Sequence, residues 1–336
     1  MAEKTVYEQL AASVGQGNSK IVPHIFKKLA DEKEAAVVLA ASPPRTVVQL
    51  AEETGFEESE VERMIDPLFK KGLMFKSKKS DATRYYRVRS FLQFHDSTAV
   101  MNDPPEGVMD LWKEWTAGEW IEASLSMDDH MPGPAMRVIP VNVAIDYNSQ
   151  VLAMDDIADQ IEQATTIAVT RCSCRVIDGA CDLPLWNCVQ LDKAADYALE
   201  RGTGKPLTKE EAMDLMQECE EEGLVHTVGA GRTPGHVICN CCSDCCINWT
   251  SLRHGKNKFI NPSRFRATIE EDECTGCELC IERCYFEAMN MSDDGKLATV
   301  DEEKCLGCGL CQVVCAPAAI AMDEARPQEL DRKSVV

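Results

Sequence analysis

Two runs of cysteines near the carboxyl end of the chain carry the clearest chemistry in the sequence. In both runs two residues separate the first three cysteines from one another, and three residues precede the fourth. The first run consists of Cys274, Cys277, Cys280 and Cys284. The second run consists of Cys305, Cys308, Cys311 and Cys315. Thiolates at this spacing let a tight loop wrap an iron–sulfur cubane, and Gly276, Gly307 and Gly309 suit the close approach of the backbone.

In this arrangement the fourth cysteine of each run binds the cluster of the other run. We therefore expect one 4Fe–4S cluster on Cys274, Cys277, Cys280 and Cys315. We expect a second 4Fe–4S cluster on Cys305, Cys308, Cys311 and Cys284. Zinc ribbons are the alternative, but they need Cys-x2-Cys pairs separated by longer gaps than these runs contain.

The two runs make residues 266–322 resemble the bacterial dicluster ferredoxins. The resemblance implies a pseudo-twofold domain of two short hairpins and two short helices, with two 4Fe–4S clusters that transfer electrons. The chain departs from that family where a proline usually follows the fourth cysteine. Tyr285 stands there in the first run, and Ala316 precedes the displaced Pro317 in the second. These departures concern the local turns and leave the ligands unchanged.

The region around the two runs is acidic. Residues 266–336 contain seven Lys and Arg against 16 Asp and Glu. Negative surroundings favour the oxidised form of a cluster, so we expect low potentials and a basic docking surface on the redox partner. Simple solubility explains the acidic residues equally well.

Ten more cysteines lie in the middle of the chain. Nine of them are candidates for a third metal centre: Cys172, Cys174, Cys181, Cys188, Cys239, Cys241, Cys242, Cys245 and Cys246. Three interpretations stay open, namely a third iron–sulfur cluster, a structural zinc ion, or a redox centre that faces a substrate. Cys219 stands apart on a predicted helix and is interpreted as a small buried side chain. Arg171 and Arg175 flank the first pair and are interpreted as solvated side chains, with anion binding as the alternative.

The sequence also predicts the strands and helices that position these cysteines. A β-branched run at 166–171 predicts a buried strand that ends at Cys172. The strands at 224–228 and 236–239 are predicted to pair, and the second of them leads into the later cysteines. Helices are predicted at 150–165, 191–201 and 209–222, the last with a capping box between Thr208 and Glu211. His226 and His236 are interpreted as structural residues, with a role as metal ligands or proton donors as the alternative. Four features together look like the large 4Fe–4S-binding proteins of anaerobic microbes: Cys-x-Cys-Arg at 172–175, Glu-Glu-Gly-Leu-Val-His at 221–226, Cys-Asn-Cys-Cys at 239–242 and the terminal dicluster region. The resemblance adds redox context and no substrate.

The front of the chain resembles a winged helix-turn-helix over residues 20–90. Helices are predicted at 20–41, 46–54 and 57–71, followed by two strands within 73–88. The predicted wing is basic, with Lys70, Lys71, Lys76, Lys78, Lys79, Arg84, Arg87 and Arg89. The predicted recognition helix is acidic, which disfavours DNA and favours protein docking or dimerisation. Trp112, Trp115 and Trp120 are interpreted as core or interface anchors.

Composition and charge support a division into modules. The chain has 336 residues and a net charge of −21, yet residues 1–100 have a net charge of only +1. We predict an α+β multidomain protein: a winged-helix-like module at 1–100, a Cys-rich α+β domain at 101–262 and a dicluster domain at 263–336. Eighteen cysteines without a signal peptide or a membrane span predict a cytoplasmic metalloprotein.

The leading hypothesis is an electron-transfer protein that serves a larger oxidoreductase in an anaerobic cytoplasm. One alternative is an oxidoreductase with its own Cys or iron–sulfur site in the middle domain. A second alternative is a redox-sensing DNA-binding regulator, although nucleic acid is disfavoured as a partner. The sequence has no dinucleotide-binding G-x-G-x-x-G after a strand and no Walker lysine motif.

Overall fold

The computed structural model describes residues 4–77, 82–130, 133–141, 157–230 and 236–326. The chain forms two compact units. The first comprises Met1–Glu122, Ser173–Gly179 and Arg201–Thr203. The second comprises Ala123–Cys172, Ala180–Glu200 and Gly204–Val336. The division into three modules that the composition suggests stays a prediction.

The described residues form a mixture of helices and strands. The helices are α1 (Val6–Ser13), α2 (Val22–Leu29), α3 (Glu32–Ala40), α4 (Val47–Thr54), α5 (Glu58–Lys70), α6 (Phe91–Ala99), α7 (Val108–Ala117), α8 (Glu119–His130), α9 (Ile157–Gln163), α10 (Ser173–Asp178), α11 (Lys193–Arg201), α12 (Lys209–Glu221), α13 (Thr250–Arg253), α14 (Leu279–Arg283) and α15 (Leu310–Val313). The strands are β1 (Met74–Ser77), β2 (Arg84–Arg87), β3 (Met136–Val138), β4 (Ile167–Arg171), β5 (Trp186–Leu191), β6 (Gly204–Pro206), β7 (Val225–Gly229), β8 (Val237–Cys241), β9 (Ile260–Asn261), β10 (Phe265–Ile269), β11 (Met289–Met291), β12 (Ala298–Val300) and β13 (Ile320–Glu324).

The helices and the hairpin of the front region largely follow the sequence prediction. The helices at 46–54 and 57–71 are confirmed as α4 and α5, and the two strands as the antiparallel pair β1 and β2. The single helix predicted at 20–41 was wrong, because the chain breaks into α2 and α3 at Ala30. Asp31 accepts the backbone N–H of Glu34 at 2.8 Å and starts the second helix with a capping box. The winged-helix fold itself stays a prediction.

Aromatic side chains fill the core of the first unit. Trp112, Trp115 and Trp120 are fully buried, which confirms the prediction that they serve as core anchors. The rings of Phe26 and Phe94 stack with their centroids 4.0 Å apart. The Trp112 indole N–H donates to the hydroxyl of Thr98 at 3.0 Å, so this buried donor is satisfied.

A sheet of seven described strands organises the second unit, in the order β6-β4-β5-β8-β7-β3-β9. Its pairs are antiparallel except for β3 and β9. One face carries apolar side chains such as Val189 and Ile238, which pack with Met216 of α12 and Ile161 of α9 in one buried cluster. Because strand residues alternate between faces, this packing directs Cys188 and Cys239 to the other face.

Several predictions for the middle region can be compared with the structure. The strands at 166–171, 224–228 and 236–239 are confirmed as β4, β7 and β8, and α12 begins with the predicted capping box at Thr208. The helix predicted at 191–201 was wrong at its start, since Leu191 ends strand β5. Most of the helix predicted at 150–165 lies outside the described residues, which contain its end as α9. No helix within the described ranges is long and apolar enough to cross a membrane.

Candidate metal centres

The dicluster region consists of two antiparallel strand pairs and two short helices. Strand β10 pairs with β13, and β11 pairs with β12. A residue with positive φ directly precedes each of the helices α14 and α15, Glu278 in the first case and Gly309 in the second. Each helix carries the third cysteine of its run, Cys280 or Cys311, so the loop before it presents the first two.

Four cysteines line one cavity in this region. They are Cys274, Cys277, Cys280 and Cys315. Apolar side chains that include Ile269, Leu279 and Ile320 form the rest of the wall. Burial raises the pKa of the Cys280 thiol, and the charges of the other three thiols add to the effect. Three cysteines of the first run thus surround a cavity together with the last cysteine of the second run.

The other four cysteines of the two runs form a more deeply buried set. Burial raises the pKa of Cys308 to about 12, and the charges of Cys284 and Cys305 add to this shift. Burial also raises the pKa of Cys311, with Cys308, Cys305 and Cys284 as its charged neighbours. Cys305 and Cys311 are both buried, whereas Cys277 of the first set is exposed.

Backbone groups close tightly around both cysteine sets. A Cβ atom on Gly276 would collide with the carbonyl oxygen of Lys296, and one on Gly307 would collide with that of Phe265. Both glycines also have positive φ, near +65° and +69°. The Ala298 N–H donates to Cys274 Sγ at 3.5 Å, and the Ala288 N–H donates to Cys284 Sγ at 3.4 Å. Such N–H···S contacts, four thiols and an apolar wall fit a bound 4Fe–4S cluster.

The middle cysteines divide into separate sets. The first, which we call the Cys3Asp group, consists of Cys181, Cys242, Cys245 and Asp244, whose donor atoms all lie within 4.8 Å of one another. Cys181 comes from the loop before β5, whereas the other three follow the end of β8. Burial raises the pKa of Cys245, and the charge of Cys242 adds to it. Burial opposes the shift at Asp244, but the Cys242 thiol and the Cys245 N–H lower the pKa of this carboxyl by hydrogen bonding.

The second set, which we call the sheet-face trio, consists of Cys188, Cys239 and Cys241. The side chains of Cys188 and Cys241 hydrogen-bond Cys239 and, with burial, raise the pKa of its thiol well above the usual value. The Gln190 amide donates to Cys188 Sγ at 3.1 Å. Thr227 Oγ1 lies 3.4 Å from Cys241 Sγ. Polar side chains therefore contact two of the three thiols of the trio.

The remaining middle candidates occupy other places. Cys172 follows β4 in the second unit, where its N–H donates to the carbonyl of Leu185 at 2.7 Å. Cys174 lies on α10 in the first unit. Cys246 is buried just before a short 3-10 helix. Cys219 is buried in the core beside Met216, as predicted.

Two interpretations of polar residues are settled by burial. Arg175 was expected in solvent but is 1% exposed, so that interpretation was wrong. His226 is structural, as predicted, because it is buried and lies 2.6 Å from Asn240 Oδ1 and 3.2 Å from Glu220 Oε1.

Sequence reasoning missed three features near the cysteines. The first is Asp244, the one carboxylate inside the Cys242–Cys246 segment. Its place among these cysteines could have indicated a metal ligand. Burial raises the pKa of Tyr285 to about 12, with Cys242, Asp244 and Cys308 as contributing charges, so Tyr285 lies near two cysteine sets. In the first unit, burial lowers the pKa of His95, but Asp96 at 2.8 Å and the charge of Cys174 raise it overall.

A comparison with protein families identifies the carboxyl-terminal region. The family model for a 4Fe-4S dicluster domain matches residues 267–322. The protein therefore contains an iron–sulfur domain of this kind. No curated protein and no solved structure matches the chain.

Proposed function

We propose that the protein carries electrons through two 4Fe–4S clusters to or from a larger oxidoreductase, in the cytoplasm of an anaerobic cell. The observation that carries this proposal is the cavity lined by Cys274, Cys277, Cys280 and Cys315 inside the matched dicluster domain. These four cysteines hold the first cluster, and Cys305, Cys308, Cys311 and Cys284 hold the second. When bound, each cluster supplies reversible one-electron chemistry.

The two cysteine sets are close enough to act as one relay. The charge of Cys280, from the first set, contributes to the raised pKa of Cys311 in the second. Helices α14 and α15, which carry these two residues, pack against each other. The exposed Cys277 brings the first site to the surface, whereas Cys305 and Cys311 keep the second site inside. Electrons would therefore enter or leave beside Cys277.

The surface around Cys277 has the properties of a docking site. We call it the docking tip and define it as residues 271–279, excluding the partly buried Cys274 and Gly276. It contains the exposed acids Glu271, Asp272, Glu273 and Glu278. Leu279 is 46% exposed, which is unusual for a large apolar side chain in the described part of this chain. An apolar contact with an acidic border suits a basic redox partner.

The experiment that tests this function begins with protein purified without oxygen. We expect about eight iron atoms per chain in the dicluster domain, since each cubane contains four. Chemical reduction should produce the electron paramagnetic resonance signals of two interacting reduced clusters. Reduced protein should then pass its electrons to a one-electron dye acceptor and return to its starting absorption spectrum. Protein that folds yet retains almost no iron would contradict the proposal.

Residues of the middle region lie close to the second cluster site. Tyr285 directly follows Cys284 and lies near Cys242 and Asp244 of the Cys3Asp group. The rings of Trp249, which follows the Cys242–Cys246 segment, and Phe286, which follows Tyr285, pack edge to face with centroids 5.5 Å apart. The second cluster site therefore borders a region that holds further metal-binding residues. The front unit serves protein docking or dimerisation in this proposal.

A further inference from the structure

The nine candidate cysteines of the middle region exceed the needs of one centre, and the sheet separates them. Cys239 and Cys241 lie two residues apart on β8 and share a face with Cys188 of β5. Cys242 and Cys245 instead join the buried cluster on the opposite face, with Cys181 packed against it. The Cys3Asp group and the sheet-face trio are therefore two sites.

The spacing inside the Cys3Asp group is that of ligands around one ion. Cys181 Sγ and Cys245 Sγ lie 3.6 Å apart, and the donor atoms of all four residues lie within 4.8 Å of one another. Four ligands that bind one zinc ion tetrahedrally at about 2.3 Å have sulfur atoms about 3.8 Å apart. The observed separation matches one edge of such a tetrahedron.

A cubane requires a wider arrangement, because its four cysteines bind four different iron atoms at separate corners. The dicluster domain shows this difference within the same chain. Among the described residues, the Cys3Asp group is the only set of three or more Cys, His, Asp or Glu with donor atoms this close. No three of the eight cysteines of the two runs have sulfur atoms within 4.8 Å of one another.

The donor set and its surroundings indicate the metal. Zinc binds both thiolates and carboxylates, and its structural sites are almost always four-coordinate and tetrahedral. The Cys245 N–H donates to Asp244 Oδ1 at 2.9 Å, which orients the carboxylate. Cys242 and Cys245 are buried, Cys181 is half-buried and Asp244 is exposed, so the thiols form the inner part of the site and the carboxylate lies on its solvent side.

We propose that Cys181, Cys242, Cys245 and Asp244 hold one zinc ion that fastens the loop before β5 to the end of β8. This site is independent of the electron-transfer proposal, since it uses none of the dicluster cysteines. The metal would join two segments of the second unit whose cysteines, Cys181 and Cys245, are 64 positions apart in the sequence.

Metal analysis of the full chain tests the site. Protein purified without oxygen should contain about one zinc ion per chain in addition to its iron. Zinc K-edge X-ray absorption should show three sulfur atoms at about 2.3 Å and one lighter atom, and iron absorption does not interfere with this reading. Asp244→Cys should convert the spectrum to four sulfur ligands.

Matched variants make the assignment specific. Cys181→Ser lies at a half-buried position and should lower the zinc content at least fivefold while the iron of the dicluster domain remains. Cys188→Ser, at a half-buried position of the sheet-face trio, should leave zinc unchanged. About four iron atoms beyond the dicluster content with no zinc, or zinc retained in Cys181→Ser, would overturn the proposal. Zinc present without iron would instead overturn only the electron-transfer function.

Discussion

The backbone N–H of Val141 donates to the carbonyl oxygen of Cys308, with 2.9 Å between the nitrogen and the oxygen. Val141 follows strand β3 of the seven-stranded sheet and is buried. The dicluster region therefore continues the second unit through a direct hydrogen bond to the loop of a cluster-binding residue. A second such bond joins Arg283 Nη1 of α14 to the carbonyl of Glu221 at the end of α12, at 3.0 Å. These contacts join the loop of Cys308 to the segment after β3, and helix α14 to the end of α12.

The close backbone approach at the first cluster site predicts different costs for two glycines. Gly276→Ala places a Cβ against the carbonyl of Lys296, whereas Gly295→Ala meets open space, although both have positive φ. We expect Gly295→Ala to cost about 1–2 kcal/mol from backbone strain alone. Gly276→Ala should cost about 1–3 kcal/mol more, because its Cβ displaces the backbone.

Unfolding in guanidinium, followed by the release of iron to a chelator, measures both variants of this pair. Gly276→Ala should release iron at lower denaturant than Gly295→Ala. Equal midpoints would show that the approach of Lys296 to Gly276 is not maintained in the loaded protein.

Ligand exchange between the two runs predicts non-additive effects within each cluster. Cys280→Ala and Cys315→Ala remove ligands of the same site, so the double variant should lose little more iron than either single one. Cys280→Ala with Cys284→Ala should instead affect both clusters, although these two residues are neighbours in one run. Iron counts and the resonance signals of the reduced protein distinguish the two outcomes. The opposite pattern would mean that each run binds its own cluster.

Local patterns in the sequence predicted most of what is local in the structure. Each of these features depends on residues at most 16 positions apart: either cysteine run, the capping box at Thr208, and the pairing of β7 with β8. The break between α2 and α3 could have been predicted too, since Asp31 and Glu34 have capping-box spacing. The apolar residues on both sides concealed it.

The division of the middle cysteines could not be predicted in this way. Cys181 and Cys245 are 64 positions apart, and they meet only because the sheet brings the loop before β5 to the end of β8. The proximity of Cys188 to Cys239 depends on the register between β5 and β8. Strand β5 is absent from the sequence prediction, which instead begins a helix at Leu191, where the strand ends. The pattern of residues along the chain does not specify which distant strands pair or in which register.

The docking tip predicts that electron transfer to a basic acceptor depends on charge near Cys277. Glu278→Lys should slow transfer from the reduced protein to a basic cytochrome about threefold or more at low salt, because it removes an attractive charge beside the exposed cysteine. Glu218→Lys makes the same charge change at an exposed position of α12. This control should have a smaller effect.

The rates should be measured by stopped flow over a range of ionic strength, with the iron content of each variant checked first. The difference between Glu278→Lys and Glu218→Lys should shrink as salt screens the charges. Equal slowing by the two variants would place the docking surface elsewhere.

We predict that the front unit binds DNA weakly, because exposed acidic side chains on it repel the phosphates. Glu58, Glu62 and Asp66 are exposed on α5, the helix that would enter the major groove of a winged helix-turn-helix complex. Basic residues of the wing already have partners within the unit. Lys71 pairs with Glu34 at 3.1 Å, and Arg87 Nε donates to Ser13 Oγ at 3.1 Å.

Fluorescence anisotropy with a labelled duplex of random sequence measures this binding at low salt. We expect no saturation below about 100 µM, the weak limit of ordinary non-specific binding. Glu58→Lys combined with Glu62→Lys should strengthen binding, because two repulsive charges become contacts for phosphate. As a control, Lys209→Glu changes an exposed residue of α12. The weak DNA binding of this variant should equal that of the protein without substitutions. Micromolar binding that falls with salt and changes when the clusters are reduced would instead favour the redox-sensing regulator, since the cluster state would then control contacts made by the front unit.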